Sequence, residues 1–239
     1  MVALIPAAGK GTRMMSMTHG ASKELLCVGS KPLLDRVLEE AFAAGVDEAV
    51  VISSPQKVDL EEHLQAKRDP RMRVVHQVEQ RGLAHALWHA RPFTAPALVL
   101  LPDTVFATQG PGPALASALS GGADGAVATE LVDDADVHRY GILEVVEGRV
   151  ERILEKPSPL ATQSRVGVAG RYGLGLRMLA VLEEAVEEFA GEGEIDLTSV
   201  LNRGISAGLR VQPVPLEPGV ERVDCGTPSG YLRALELFG

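Results

Sequence analysis

From residue 2 to residue 103, short runs of Val, Leu and Ile take turns with amphipathic stretches. The runs are "VALIP" (2–6), "EAVVISS" (48–54), "RVVHQ" (73–77) and "ALVLLPD" (97–103). Between them stand "KPLLDRVLEEAFAAG" (31–45), "VDLEEHLQAK" (58–67) and "GLAHALWHAR" (82–91). Strands that are apolar on both sides are buried on both faces, and strands separated by helices run parallel. The stretch 31–45 predicts a helix that covers such a sheet. Its Leu34, Val37, Leu38, Ala41 and Phe42 fall on one side at three- and four-residue spacing. Pro32 suits its first turn and Gly45 its end.

The second half is more mixed. Residues 125–131, 141–156 and 166–175 are strand-rich, and "EGR" (147–149) predicts a turn between two antiparallel strands. Helices are expected over 176–190 and 196–207, strands over 209–215 and 220–224, and a last helix over 228–238. No repeat or low-complexity linker interrupts the chain. The expectation is one α/β domain over 1–239, with a single doubly wound, Rossmann-like mixed sheet, helices on both faces, and an added antiparallel portion from the second half.

A formal net charge of -9 argues against a nucleic-acid partner, which needs a basic face. No apolar run approaches the ~18 residues of a membrane span, so no membrane partner is expected. Cys27 and Cys225 match no zinc spacing and predict free thiols in a reducing, cytoplasmic setting. No secretory signal is read at the N-terminus.

Open parallel sheets bind ligands where their strands end. After the first strand comes Ala7-Ala8-Gly9-Lys10-Gly11-Thr12-Arg13, glycines for close backbone approach and cations for charge. A Walker A loop would need a glycine at Leu4 or Pro6, and a dinucleotide fingerprint one at Met14, so neither fits. A phosphate-binding loop of another kind is the expectation. His85 and His89 share a helix face, but no glutamate follows His85 and no third metal ligand is evident, so a structural or surface role is expected. The acidic run "EEAVEEFAGEGE" (183–194) reads as a solvated face.

"GKGTRM", "SKELL", "KPLLDRVL", "HQVEQRGLAHAL", "LPDTVF", "RYGILE", "LEKP", "VAGRY", "GEIDLT" and "VDCGTPSGYLRAL" occur in this order. Together they resemble the sugar-1-phosphate nucleotidylyltransferases, above all those acting with UTP or dTTP on glucose 1-phosphate. The resemblance covers essentially the whole chain. It implies that a sugar-1-phosphate oxygen attacks the α-phosphorus of a nucleoside triphosphate and that pyrophosphate leaves.

By that resemblance, residues 1–110 form a nucleotide-binding half and 111–239 a sugar-phosphate-binding half. Ala8, Gly9, Gly11 and Thr12 would hold the triphosphate, Arg13 the pyrophosphate, and Lys23 the α-phosphate. Gln77 and Gly82 would read the base, a Gln amide complementing the adjacent carbonyl and N–H of uracil or thymine. Asp103 and Asp224 would bind Mg²⁺, whose approach to one site the resemblance alone implies. Gly141, Glu155, Lys156, Gly170 and Glu194 would contact the sugar phosphate, with Pro157 expected to keep Lys156 extended.

Ser16 and Ser22 stand where the family often has proline, which predicts a looser loop. Relatives are commonly dimers or tetramers, so a homo-oligomer is possible. Two alternatives stay open. A cytidylyltransferase on another phosphorylated small molecule would share the loop, though "EKP" and "GRY" together are not expected there. An inert nucleotide-sugar sensor would lose Arg13, Lys23, Asp103 or Asp224, and all four are present.

Overall fold

The computed structural model describes residues 1–239. Its strands are β1 (Val2–Pro6), β2 (Cys27–Val28), β3 (Lys31–Pro32), β4 (Glu48–Ser53), β5 (Met72–His76), β6 (Ala97–Leu100), β7 (Thr104–Phe106), β8 (Gly125–Leu131), β9 (Gly141–Val146), β10 (Arg149–Glu155), β11 (Val166–Leu174), β12 (Val211–Pro215) and β13 (Arg222–Asp224). Its helices are α1 (Met15–Thr18), α2 (Leu33–Ala43), α3 (Val58–Lys67), α4 (Leu83–Trp88), α5 (Gly112–Ser120), α6 (Leu176–Glu187), α7 (Leu197–Ser206) and α8 (Pro228–Phe238).

Nine strands make the central sheet, in the order β10-β9-β11-β6-β1-β4-β5, with β8 beside β11 and β12 beside β8. β6, β1, β4 and β5 are mutually parallel. β11 runs antiparallel to β6, β8 and β9, so the second half extends the sheet of the first.

Alternating side chains of β1 and β4 feed two cores. Leu4, Val50 and Ile52 pack with α4, α6 and α7 on one face. Ala3, Ile5 and Val51 pack with α2, α3 and α5 on the other. This is the doubly wound mixed sheet the alternation predicts. No helix is long and apolar enough to cross a membrane, and both cysteines are free thiols.

Several elements differ from the sequence reading. Helix α5 was not anticipated. Its "GPALASALS" is rich in small residues that blur the apolar period, and its prolines and glycines read as a loop. The strand expected over 97–103 stops at Leu100. Thr104 then opens a separate two-stranded ribbon of β7 with β13. The helix expected from Lys31 starts at Leu33, because Lys31 and Pro32 pair with Val28 and Cys27 instead. Helix α4 is also shorter than expected, closing at Trp88.

Candidate active site

β1 ends at Pro6, and the Ala7 N–H makes one more bond, to the Ile52 carbonyl at 2.8 Å. Beyond it, no carbonyl of the chain accepts from the amides of Ala8, Gly9, Lys10 or Gly11. Four successive unpaired N–H groups can cradle an anion. Gly11 takes φ +64°, and the Lys23 stem lies 3.6 Å from where its Cβ would stand. Below the loop, Met14 is buried in a small third core with Val28, Leu33, Val105, Val223 and Tyr231. That peg fixes the turn Thr12–Met14 and leaves Thr12 and Arg13 exposed.

Lys23 sits between two anchored neighbours. The N–H and Oγ of buried Ser22 both donate to Asp59, each at 2.7 Å. Glu24, 1% exposed, accepts from Lys57 Nζ at 2.7 Å. Lys57 and Asp59 stand at the start of α3. Ser22 therefore tightens the loop at this point, since a proline would have no N–H for Asp59.

The β7–β13 ribbon explains how two distant acids meet. Asp224 lies opposite Thr104, and the Cys225 N–H donates to the Asp103 carbonyl at 2.7 Å. Asp224 Oδ1 and Asp103 Oδ2 come within 2.9 and 3.1 Å of the point a Gly226 Cβ would occupy, and Arg13 Nη2 within 3.6 Å. Gly226 thus leaves a space that both carboxylates face. No group of three or more His, Cys, Asp or Glu forms a metal site. Two carboxylates beside a run of free amides that can hold an anion suit Mg²⁺, which takes oxygen ligands and keeps several waters.

Lys23 Nζ donates to Asp103 Oδ2 at 2.5 Å. Burial works against the Lys23 charge, but the Asp103 carboxylate and its hydrogen bond outweigh it, and the ammonium pKa is raised. Burial likewise opposes the Asp103 charge, and Lys23 reverses the balance, holding the carboxyl below its usual range.

A cavity of about 500 Å³ opens beside the acids, and Gly141, Glu155, Lys156 and Gly170 all line it. Glu155 pairs with Gly141 where β10 meets β9, and its Oε2 accepts from Thr198 Oγ1 at 2.8 Å. Gly170 sits where β11 loses register against β8, between Val168 and Tyr172. Its φ is +75°, and a Cβ there would lie 2.9 Å from Thr104 Oγ1.

Lys156 corrects an expectation. It is not extended but left-handed, with φ +45°. Its N–H continues the ladder to the Tyr140 carbonyl at 3.0 Å, and the chain turns there. Pro157 disfavours the right-handed helical region for Lys156, and the turn takes the left-handed one. Such a conformation costs about 1–3 kcal/mol.

On the other side of Asp103 lies a cavity of about 300 Å³, bordered by Ala8, Gly9, Gln77, Gly82 and Glu194. Gln77 is buried, and its Nε2 donates to the Gly82 carbonyl at 3.2 Å and to His85 Nδ1 at 3.0 Å. Both amide hydrogens are thus used, and Oε1 is left to accept. No carbonyl of the chain accepts from the Gly82 N–H. His85 has its pKa lowered, by burial first and then by the Arg81 charge, which suits a ring that accepts at Nδ1. Gly82 has φ +92°, and its Cβ would fall 2.4 Å from the Ile195 carbonyl oxygen. Ile195 pairs with Arg81 and Ala84. That pairing brings Glu194 to this cavity rather than to the one lined by Glu155 and Lys156.

A third cavity, of about 540 Å³, borders Ala8, Gly9, Gly11 and Lys23 together with Lys57 and Gln80. Thr12 lines none of the three. Thr104, Tyr172, Thr198 and Arg222 belong to the first cavity and were not singled out from sequence. Thr104 and Tyr172 each adjoin a quoted motif residue or lie inside one. Thr198 ends the motif "GEIDLT", and Arg222 directly precedes "VDCGTPSGYLRAL". In the structure its Nε donates to Glu130 at 2.5 Å and its Nη2 to Tyr140 Oη at 2.8 Å.

A family model described as nucleotidyl transferase matches residues 2–237. UTP–glucose-1-phosphate uridylyltransferase 1 of Staphylococcus saprophyticus is 30% identical over 267 aligned positions, covering 99% of this chain and 91% of that relative. A crystal structure of UDP-glucose pyrophosphorylase complexed with UDP-glucose superposes with a TM-score of 0.85 at 27% identity, covering 98% of this chain and 97% of that one. A putative glucose-1-phosphate thymidylyltransferase from Bacillus anthracis shares the fold, with a TM-score of 0.83 at 21% identity and coverage of 99% and 95%.

Proposed function

The chain belongs to the nucleotidyl transferase family, and on that premise we propose that it joins UTP or dTTP to a sugar 1-phosphate, glucose 1-phosphate foremost, releasing pyrophosphate. One observation carries this reading. Arg13, Asp103 and Asp224 surround the space above Gly226, with Lys23 bonded to Asp103, between a loop of unpaired amides and a polar cavity.

In this reading residues 1–110 supply most of the nucleotide site and 111–239 most of the sugar-phosphate site. The amides of Ala8 to Gly11 hold the triphosphate, and Thr12 adds its hydroxyl at the loop's exposed end. Arg13 presents a planar fork of donors to the departing pyrophosphate. Lys23 meets charge as it builds at the α-phosphate. Asp103 and Asp224 hold Mg²⁺, which when bound supplies Lewis-acid polarisation of the α-phosphate.

Gln77 and Gly82 divide the base between them. Gln77 Oε1 accepts from the ring N–H of uracil or thymine, and the Gly82 N–H donates to the adjacent carbonyl. Cytosine offers an acceptor and an amine at those edges, so both contacts oppose it. Lys156 holds the sugar phosphate, Glu155 accepts from sugar hydroxyls, and Gly141 and Gly170 keep the cavity open. Glu194 reaches the reactants from the nucleotide side. The attacking phosphate oxygen is already an anion at neutral pH and asks for no general base. Two free thiols suit a cytoplasmic protein.

The test is pyrophosphate release with each nucleoside triphosphate crossed against several sugar 1-phosphates, with and without Mg²⁺. UTP or dTTP with glucose 1-phosphate is expected to turn over fastest. Asp103→Asn and Lys23→Ala should each slow release by at least ~100-fold while staying folded. Near-normal turnover by folded Asp103→Asn would remove the metal assignment.

A further inference from the structure

Arg171 is the largest fully buried side chain of the molecule, at 0% exposure. A buried guanidinium is tolerable only when its donors are matched, and here all five are. Nε donates to both Glu40 oxygens at 3.1 and 3.0 Å. Nη1 donates to the Leu101 carbonyl at 2.9 Å and the Gly170 carbonyl at 3.1 Å. Nη2 donates to Glu40 Oε2 at 2.8 Å and the Thr104 carbonyl at 2.7 Å.

The partners matter more than their number. Leu101 and Thr104 are the two ends of the turn that carries Asp103. Gly170 is the left-handed residue of β11 that borders the sugar-side cavity. Glu40 belongs to α2, so the whole assembly is braced against a helix. A core position needs none of this, and a leucine would fill the volume without three carbonyl bonds.

Resting on the metal site of the preceding section, we propose that Arg171 is a positioning residue. It sets the Asp103 carboxylate for a divalent cation by clamping the carbonyls on either side of it, and it ties that turn to the adjoining Gly170, whose carbonyl also accepts from the Leu101 N–H at 3.3 Å. Lysine keeps the charge but has three donors on one atom, and cannot span Leu101, Thr104 and Glu40 together.

The experiment compares the full-length wild type with Arg171→Lys, Glu40→Gln and a remote core control, Leu182→Ala, which lies in α6. Two quantities are read at a temperature where circular dichroism shows each variant folded. One is Mn²⁺ affinity by electron paramagnetic resonance in the presence of a non-hydrolysable UTP analogue, where no turnover occurs. The other is kcat and KM from pyrophosphate release. Residues that orient metal ligands typically change metal affinity or activity about 10–100-fold.

Arg171→Lys is expected to weaken Mn²⁺ binding by about 10-fold or more and to lower kcat. Glu40→Gln should move both in the same direction by less, and Leu182→Ala should keep both while losing thermal stability. If Arg171→Lys does not fold, Glu40→Gln decides. Wild-type Mn²⁺ affinity in the folded decisive variant would overturn the proposal, and so would an equal loss in Leu182→Ala. A wild type that releases no pyrophosphate but binds Mn²⁺ would fail the proposed function while the Arg171 comparison still stands.

Discussion

Gln77 keeps its amide nitrogen turned inward only while His85 Nδ1 carries a lone pair. The lowered His85 pKa, caused by burial and the Arg81 charge, keeps the ring neutral to below the usual value of about 6.5. The sign follows from that direction. The neutral ring's contribution to stability is whole above about pH 6.5 and is lost as pH falls through the lowered native value. Protonation would set two donors face to face and leave the Gly82 carbonyl as the one partner of Gln77 Nε2. KM for the nucleoside triphosphate should therefore be flat above about pH 6.5 and climb in acid, as initial rates across pH will read. In His85→Asn, whose amide oxygen can accept at any pH, the climb should vanish. Gly82 makes a second case. Gly82→Ala must place a Cβ 2.4 Å from the Ile195 oxygen at φ +92°, and should lose well over ~1 kcal/mol in urea unfolding.

At the scale of elements, α3 does more than cover the sheet. Its first turn grips the chain on both sides of Lys23, through Ser22 to Asp59 and Glu24 to Lys57. Asp59→Ala should cost about 1–3 kcal/mol and slow pyrophosphate release, because Lys23 loses half of its frame. Denaturant curves and rates on the same sample check both. This contact also marks where sequence reading stops. The period of α2 and the buried runs of β1, β4 and β6 were legible because each is a local pattern of apolar spacing. The grip on Ser22 was not, since it joins positions 37 apart in the chain. The bend at Lys156 escaped because Pro157 narrows the backbone choices of Lys156 without selecting one. α5 escaped because small side chains carry little periodic contrast.

For the molecule as a whole, the two acids illustrate the same limit. Each could be picked out by its motif, yet their meeting depends on a ribbon of three residues per strand, β7 with β13, that lies outside the large sheet. That placement sets an order along the chain as well as in space. The last strand of the nine-stranded sheet, β12, ends at Pro215, and β13 and α8 follow it. Every strand of the large sheet is encoded before Arg222. Met14, Val28, Leu33 and Val105 close their core only with Val223, Cys225 and Tyr231. The large sheet is thus fully specified by residues 1–215, while the approach of Asp224 to Asp103 waits on a ribbon that lies wholly outside it.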